Sequence, residues 1–273
     1  MRYVASMVLL TAASGWAAEL KPETIRVWDD CVQRARERMQ NRLTPGAQFL
    51  WTEENPARAR RVRTGEIVVE PATHPEPHPV PGGLIHDWIG AAFLPGVSGP
   101  DVLAVLRDFS NYKEIYKPYV VDSREISAGT PDRFAVVLRN KTIILKTALD
   151  GEYAANTERV GPHRWYTTME STRLREVEDF GTPEQHFAAE GRGALIWRLF
   201  NITRYEERDG GVYIETEALA LTREVPYSLR WLMDPMVRRI SRGSLETTLR
   251  ETGAAVHERA LTAHRAMGGG AAH

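Results

Sequence analysis

A chain of 273 residues with 42% hydrophobic and 26% charged side chains carries enough apolar material for a sizeable core and too little charge bias to stay unfolded. Its formal net charge of -1 gives no general attraction to nucleic acid or to an acidic lipid surface. The single cysteine, Cys31, excludes an internal disulfide and a thiolate zinc cluster, so stability has to come from packing.

Residues 1–18 read as a secretory signal peptide: Arg2 gives a positive start, Tyr3 to Ala13 is apolar or small, and Gly15-Trp16-Ala17 forms a small-x-small cleavage pattern before Glu19. The run is too short to span a bilayer, which predicts a soluble mature protein that is secreted or periplasmic. Residues 19–65 form an N-terminal helical segment. Its helix, over 22–43, carries Ile25, Trp28, Val32, Ala35 and Met39 as one apolar stripe. Such a stripe needs a surface, either the main domain or a second copy of the chain. Residues 66–83 read as a short strand followed by a Pro-rich linker, with Pro71, Pro75, Pro77, Pro79 and Pro81.

The main domain is placed at 84–256. A strand from Leu84 ends at Pro95, and Ser98 with Asp101 marks a helix start. Strands are expected near 120–127, 133–139, 142–154, 164–176, 194–207 and 211–222, with Asp209-Gly210-Gly211 as a hairpin turn. Short connections imply antiparallel pairing. A polar stretch over 181–193, containing His186, reads as a flap. A long helix has Pro226 in its first turn, and residues 257–273 read as a disordered tail.

This order predicts an α+β fold in which a curved antiparallel sheet wraps around a long C-terminal helix, with an extra N-terminal helix. The residues resemble the helix-grip superfamily of START lipid-transfer domains, polyketide cyclases and plant pathogenesis-related allergens. The resemblance lies in LRDFSNYKEIYKPYVVDSREI, with Leu106, Asp108, Phe109, Tyr112, Pro118 and Val121, and in EALALTREVPYSLRWLMDPMVRRISRGSLETTL. It implies a pocket between sheet and helix, and it is shared by binders, transporters and enzymes alike.

Strand alternation and helical spacing place Ile143, Leu145, Leu149, Trp165, Met169, Trp197, Leu199, Ile214, Leu232, Met233, Met236 and Ile240 on the pocket-or-core faces. Glu215 and Glu217 fall on the opposite strand face, which reads as solvated. Small Gly243 and Ser244 on the last helix would either let it approach the sheet or leave room for a ligand. No catalytic, cofactor or metal motif stands out. His74 and His78 sit four apart, but prolines forbid the regular helix that would bring them together.

The leading expectation is binding or transfer of a hydrophobic small molecule, lipid-like or polycyclic, outside the cytoplasm. The alternatives are a polyketide cyclase/aromatase-like or hydrolase-like enzyme, and an envelope interaction module with a vestigial pocket. The N-terminal helix is the candidate surface for homo-oligomerisation.

Overall fold

The computed structural model describes residues 20–139, 148–188, 195–224 and 227–268, the last without the side chains of 227–241 and 264–268. The signal-peptide reading of residues 1–18 lies outside them. The elements are α1 (Pro22–Asn41), α2 (Pro56–Arg63), β1 (Val68–Pro71), β2 (His78–Val80), β3 (Gly83–Pro95), α3 (Gly99–Leu106), α4 (Tyr112–Ile115), β4 (Val120–Ser127), β5 (Asp132–Arg139), β6 (Ala148–Gly161), β7 (Arg164–Glu178), β8 (His186–Phe187), β9 (Ile196–Arg208), β10 (Gly211–Arg223) and α5 (Tyr227–Gly268).

All strands join one 10-stranded sheet in the order β1-β3-β10-β9-β7-β6-β5-β4, with β2 on β3 and β8 on β7. Every pairing is antiparallel. The sheet is interrupted by bulges at Glu152/Tyr153, Leu221/Thr222, Val120/Asp122 and Glu125/Ser127. Each bulge bends its strand and raises the local twist, which curls a sheet of this width. The hairpin between β9 and β10 turns at Asp209 and Gly210, both at positive φ (57° and 78°), as its sequence demands. Ser98 and Asp101 cap α3 reciprocally: the Asp101 N–H donates to Ser98 Oγ, and the Ser98 N–H to Asp101 Oδ2.

The helix α5 lies along β3 on one face of the sheet. Leu245, Leu249, Val256 and Ala260 pack into a cluster with Trp88, Ala92, Leu94, Ile214 and Tyr205. The close approach is made by a strand glycine: a Cβ on Gly90 would stand 2.8 Å from Leu249 Cδ1, whereas a Cβ on Gly243 would meet nothing within 4 Å. Of the two readings of Gly243, close approach to the sheet is not what the structure shows; that role falls to Gly90. His257 Nε2 lies 3.0 Å from the Pro95 carbonyl, and Arg259 bonds Asp108 at 2.9 Å. The expected disordered tail is thus helical as far as Gly268, held by buried Val256 and Ala260. Residues 269–273 lie outside the described residues.

The other, convex face is covered as well. The α1 stripe settles there, with Trp28, Ala35 and Met39 buried beside Phe49, Leu50, Val62, Ile85, Ile89, Ile202 and Leu221. The stripe that could have joined a second copy is occupied by the chain's own sheet.

Under this layer sits a group of buried charges. Glu215 Oε2 accepts the Trp51 N–H at 2.7 Å, and Oε1 accepts the Thr52 N–H and hydroxyl, each at 2.8 Å. Arg204, with 0% exposure, places Nε 3.4 Å from Glu215 and Nη1 3.6 Å from Glu217. Arg38 of α1 bonds Glu217 and lies 3.5 Å from Asp87. The solvated reading of Glu215 and Glu217 is corrected: they are 0% and 4% exposed because the N-terminal segment supplies a second layer.

The Pro-rich segment is folded onto the sheet rather than free. Glu76 accepts from Trp88 Nε1 and from the Asp87 N–H, each at 2.9 Å, and faces His86 Nδ1 at 3.0 Å. His86 Nε2 in turn lies 3.2 Å from Thr222 Oγ1. A proline-rich segment has few backbone N–H groups to bond, so the Glu76 carboxylate adds to the attachment made by the short pairing of β2 with β3 and by the Ala72 N–H on the Asp87 carbonyl at 2.9 Å.

Two outcomes follow. Glu215→Ala strands the Arg204 charge in the interior and should cost about 3–5 kcal/mol in urea unfolding. Asp87 is pushed up to about 7, first by burial and then by Glu217, with Arg38 offsetting only part. Its folded state therefore holds a proton that the unfolded chain releases, so its contribution improves as pH falls through about 7. Asp87→Asn should raise the melting temperature relative to the parent at pH 8, and this gain should shrink by pH 5.

Candidate functional site

On the concave face, cross-strand neighbours form rows running across the sheet. The uppermost row, Ala92–Ile214–Tyr205–Trp165, lies in the cluster with α5 and is buried. The next is Gly90–Thr216–Thr203–Thr167–Thr157, a band of hydroxyls. Thr203 bonds Thr216 at 3.1 Å, Thr157 bonds Thr167 at 2.8 Å, and the Tyr205 hydroxyl meets Thr167. Burial pushes the Tyr205 hydroxyl up to about 12, so it stays neutral.

Below this band the face changes character. Trp88–Ala218–Asn201–Met169–Ala155 forms one row, and Ala220, Leu199, Ser171, Tyr153 and Phe134 the next. A last row joins Glu176, Leu149, Leu138 and Val120. Ala218, Ala220, Leu199, Asn201, Met169, Ser171, Leu174, Leu149 and Leu138 are all half-buried although they sit in the middle of a wide sheet. On the other side of the same strands, Phe200, Ile202, Leu219 and Leu221 are fully buried. Along β9 and β10 the less covered side is therefore the concave one, over a floor of alanines, methionine and leucines.

One wall of this space is aromatic. Phe109 stacks on Phe134 with ring centroids 4.2 Å apart, and Phe134 stacks on Tyr153 at 5.3 Å. Tyr116 joins α4 to α5 through Thr252 at 3.0 Å. Gly151 is required beneath Tyr153, since a Cβ there would meet the ring at 2.7 Å. The polar atoms of the floor are few. Ser171 Oγ accepts the Leu199 N–H at 3.0 Å, and the Asn201 amide has Met169 Sδ at 3.9 Å.

The sequence-derived residues distribute unevenly. Met169, Leu199 and Leu149 lie on the floor. Trp165 and Ile214 share the same face but are buried in the cluster with α5. Trp197 is a correction: the register shift at Leu221/Thr222 turns it to the convex cluster, where its ring lies over Gly83. Ile143 and Leu145 lie outside the described residues, as do the side chains of Leu232, Met233, Met236 and Ile240.

Several floor positions escaped the sequence reading. Ser171 and Leu174 share a face only because of the bulge between Glu152 and Tyr153, and Ala218 and Ala220 matter for their small size. Parity with Leu199 was the one available signal for Asn201. Within the expected flap of 181–193, β8 pairs with Val177 and Glu178 and His186 is exposed beside Glu178 at 3.3 Å, while residues 189–193 lie outside the described residues.

Other chemistry fits less well. Thr222, His86 and Glu76 have the atom order of a hydroxyl–imidazole–carboxylate relay, yet each is nearly inaccessible and both Glu76 oxygens are already engaged. Two clefts open outside the concavity. One, of about 700 Å³, lies between α3 and the β6–β7 turn, walled by Leu103, Arg159, Pro162 and Trp165. The other, of about 300 Å³, lies between α1 and β9 beside Trp28, Val32 and Arg198. Among the described residues, no group of three or more His, Cys, Asp or Glu is arranged to hold a metal, and no helix is long and apolar enough to cross a membrane.

No protein-family model and no curated protein matches this chain. Solved structures do. A STAR-related lipid transfer protein from Xanthomonas axonopodis matches with a TM-score of 0.47 and 16% identity, over 69% of this chain and 98% of that one. Human STARD10 matches at 0.41 and 11%, over 77% and 83%. The di-domain ARO/CYC StfQ of the steffimycin biosynthetic pathway matches at 0.43 and 14%, over 64% of this chain and 52% of that one. Each is a protein this chain is similar to, at identities of 16% or less. The helix-grip arrangement itself is given by the strand order and by α5 along the concave face.

The difference between floor and core is testable. Ala218→Leu should change stability by under about 1 kcal/mol, because its methyls enter open space. Ala92→Leu, packed against α5, should cost about 1–3 kcal/mol in urea unfolding.

Proposed function

We propose that the concave face binds or carries a hydrophobic small molecule, lipid-like or polycyclic, outside the cytoplasm. The observation that carries this reading is the half-buried apolar floor of Ala218, Ala220, Leu199, Met169 and Leu174 at the centre of a wide sheet whose opposite face, along β9 and β10, is covered by the N-terminal segment. A guest over that floor loses water from apolar area at roughly 25 cal/mol per Å², the ordinary driving force of such sites. Export is the reading of residues 1–18 and stands with the sequence pattern.

The purified full chain should bind Nile red, a neutral hydrophobic dye, with a dissociation constant in the micromolar range and a blue-shifted emission. Ala218→Trp, which fills the floor, should weaken that binding by roughly tenfold or more while the circular dichroism stays unchanged. A parent protein that leaves the dye spectrum unaltered at tens of micromolar would end this reading. Native mass spectrometry for a co-purified apolar molecule gives an independent measure.

A further inference from the structure

Eight buried side-chain nitrogen and oxygen atoms have no hydrogen-bond partner among the described residues, and they belong to Arg58, Asp87, Arg175, Glu176, Arg204, Glu206 and Arg208. Asp87, Arg204, Glu206 and Arg208 point to the convex side by strand parity, Arg58 belongs to α2 beneath it, and Arg175 faces outward with Asp150. Glu176 is the exception. Opposite Leu149, and in one row with Leu138 and Val120, it stands on the concave face beside Leu174.

A buried carboxyl oxygen without a donor carries a desolvation cost that a protein normally offsets with a partner. Glu176 Oε2 has no hydrogen-bond partner among the described residues, and the nearby Leu195 N–H favours the charged form only weakly. Burial, followed by the nearby Glu178, raises its proton affinity, and Arg223 offsets this only in part. Other Glu176 atoms are reached by solvent, and a carboxylate turns easily about its last torsion, so the free oxygen can swing toward the floor.

We propose that Glu176 is the polar anchor of the concave site and selects apolar molecules whose polar end is a hydrogen-bond donor, an alcohol or a protonated amine, over fatty-acid anions. This rests on the binding reading above. A hydroxyl or ammonium head supplies the hydrogen the free oxygen lacks, while a carboxylate head brings a second negative charge against it. The body of such a guest would lie over Leu149, Leu174 and Met169.

The test is displacement of Nile red from the full chain at pH 7.5 by four chains of equal length: decanol, decylamine, decyl methyl ether and decanoate. The alcohol and the amine should displace the dye at concentrations roughly tenfold lower than the ether and the carboxylate. In Glu176→Leu the alcohol-to-ether ratio should fall to about one. In Glu176→Gln, which keeps an acceptor without the charge, the amine should drop to the level of the alcohol. If the dye binds but the four chains compete equally in the parent, Glu176 is no anchor while the pocket stands. If decanoate competes best, the selection is reversed and the proposal fails. If no dye binds, the site itself is absent.

Discussion

A carboxylate closed off from water holds the N-terminal segment to the sheet. Glu215 takes three hydrogen bonds from Trp51 and Thr52 and stands against a guanidinium with no exposure. In a low-dielectric interior such charges are tolerable only when each has its counterpart, and removal of one leaves the rest uncompensated. The arrangement fixes the register between the loop at Leu50–Thr52 and β10, and α1 is then aligned by Arg38 on Glu217. With the convex side closed in this way, the concave side is left to α5 and to whatever shares it.

The two layers differ in how they meet the sheet. Along β3, Gly90 and Ala92 are small so that α5 can come close, and the space is filled by Leu245 and Leu249. Along β10, Ala218 and Ala220 are equally small, yet they remain half-buried. The same economy of side-chain volume produces contact in one place and room in the other, and only the path of the helix distinguishes them.

This explains what could be read from the residues. The element order, the hairpin at Asp209-Gly210, the cap at Ser98 and the parity of Met169, Leu199 and Ile214 follow from local rules of turns and alternation, which depend on near neighbours in the chain. Trp197 failed because a bulge shifts parity and leaves no mark in composition. Glu215 and Glu217 failed because alternation tells which face a residue takes, not whether another layer covers it. Glu76 was hidden among prolines that suggested a spacer, and its three partners lie on or beside β3. Glu176 could not be picked out from a strand in which Arg173, Arg175 and Glu178 look equally exposed in sequence.

The seal over the convex face also bears on what counts as an autonomous unit. The segment from Leu84 onward resembles a complete helix-grip module, and fragments are commonly cut at such a boundary. Here that cut would uncover Ile85, Ile89, Phe200, Ile202 and Leu221 together with the buried acids, and it would remove Glu76 from beneath Trp88. A contiguous greasy surface of that kind promotes aggregation. The N-terminal part, from α1 onward, is therefore packed as part of the sheet's own core rather than as an appendage.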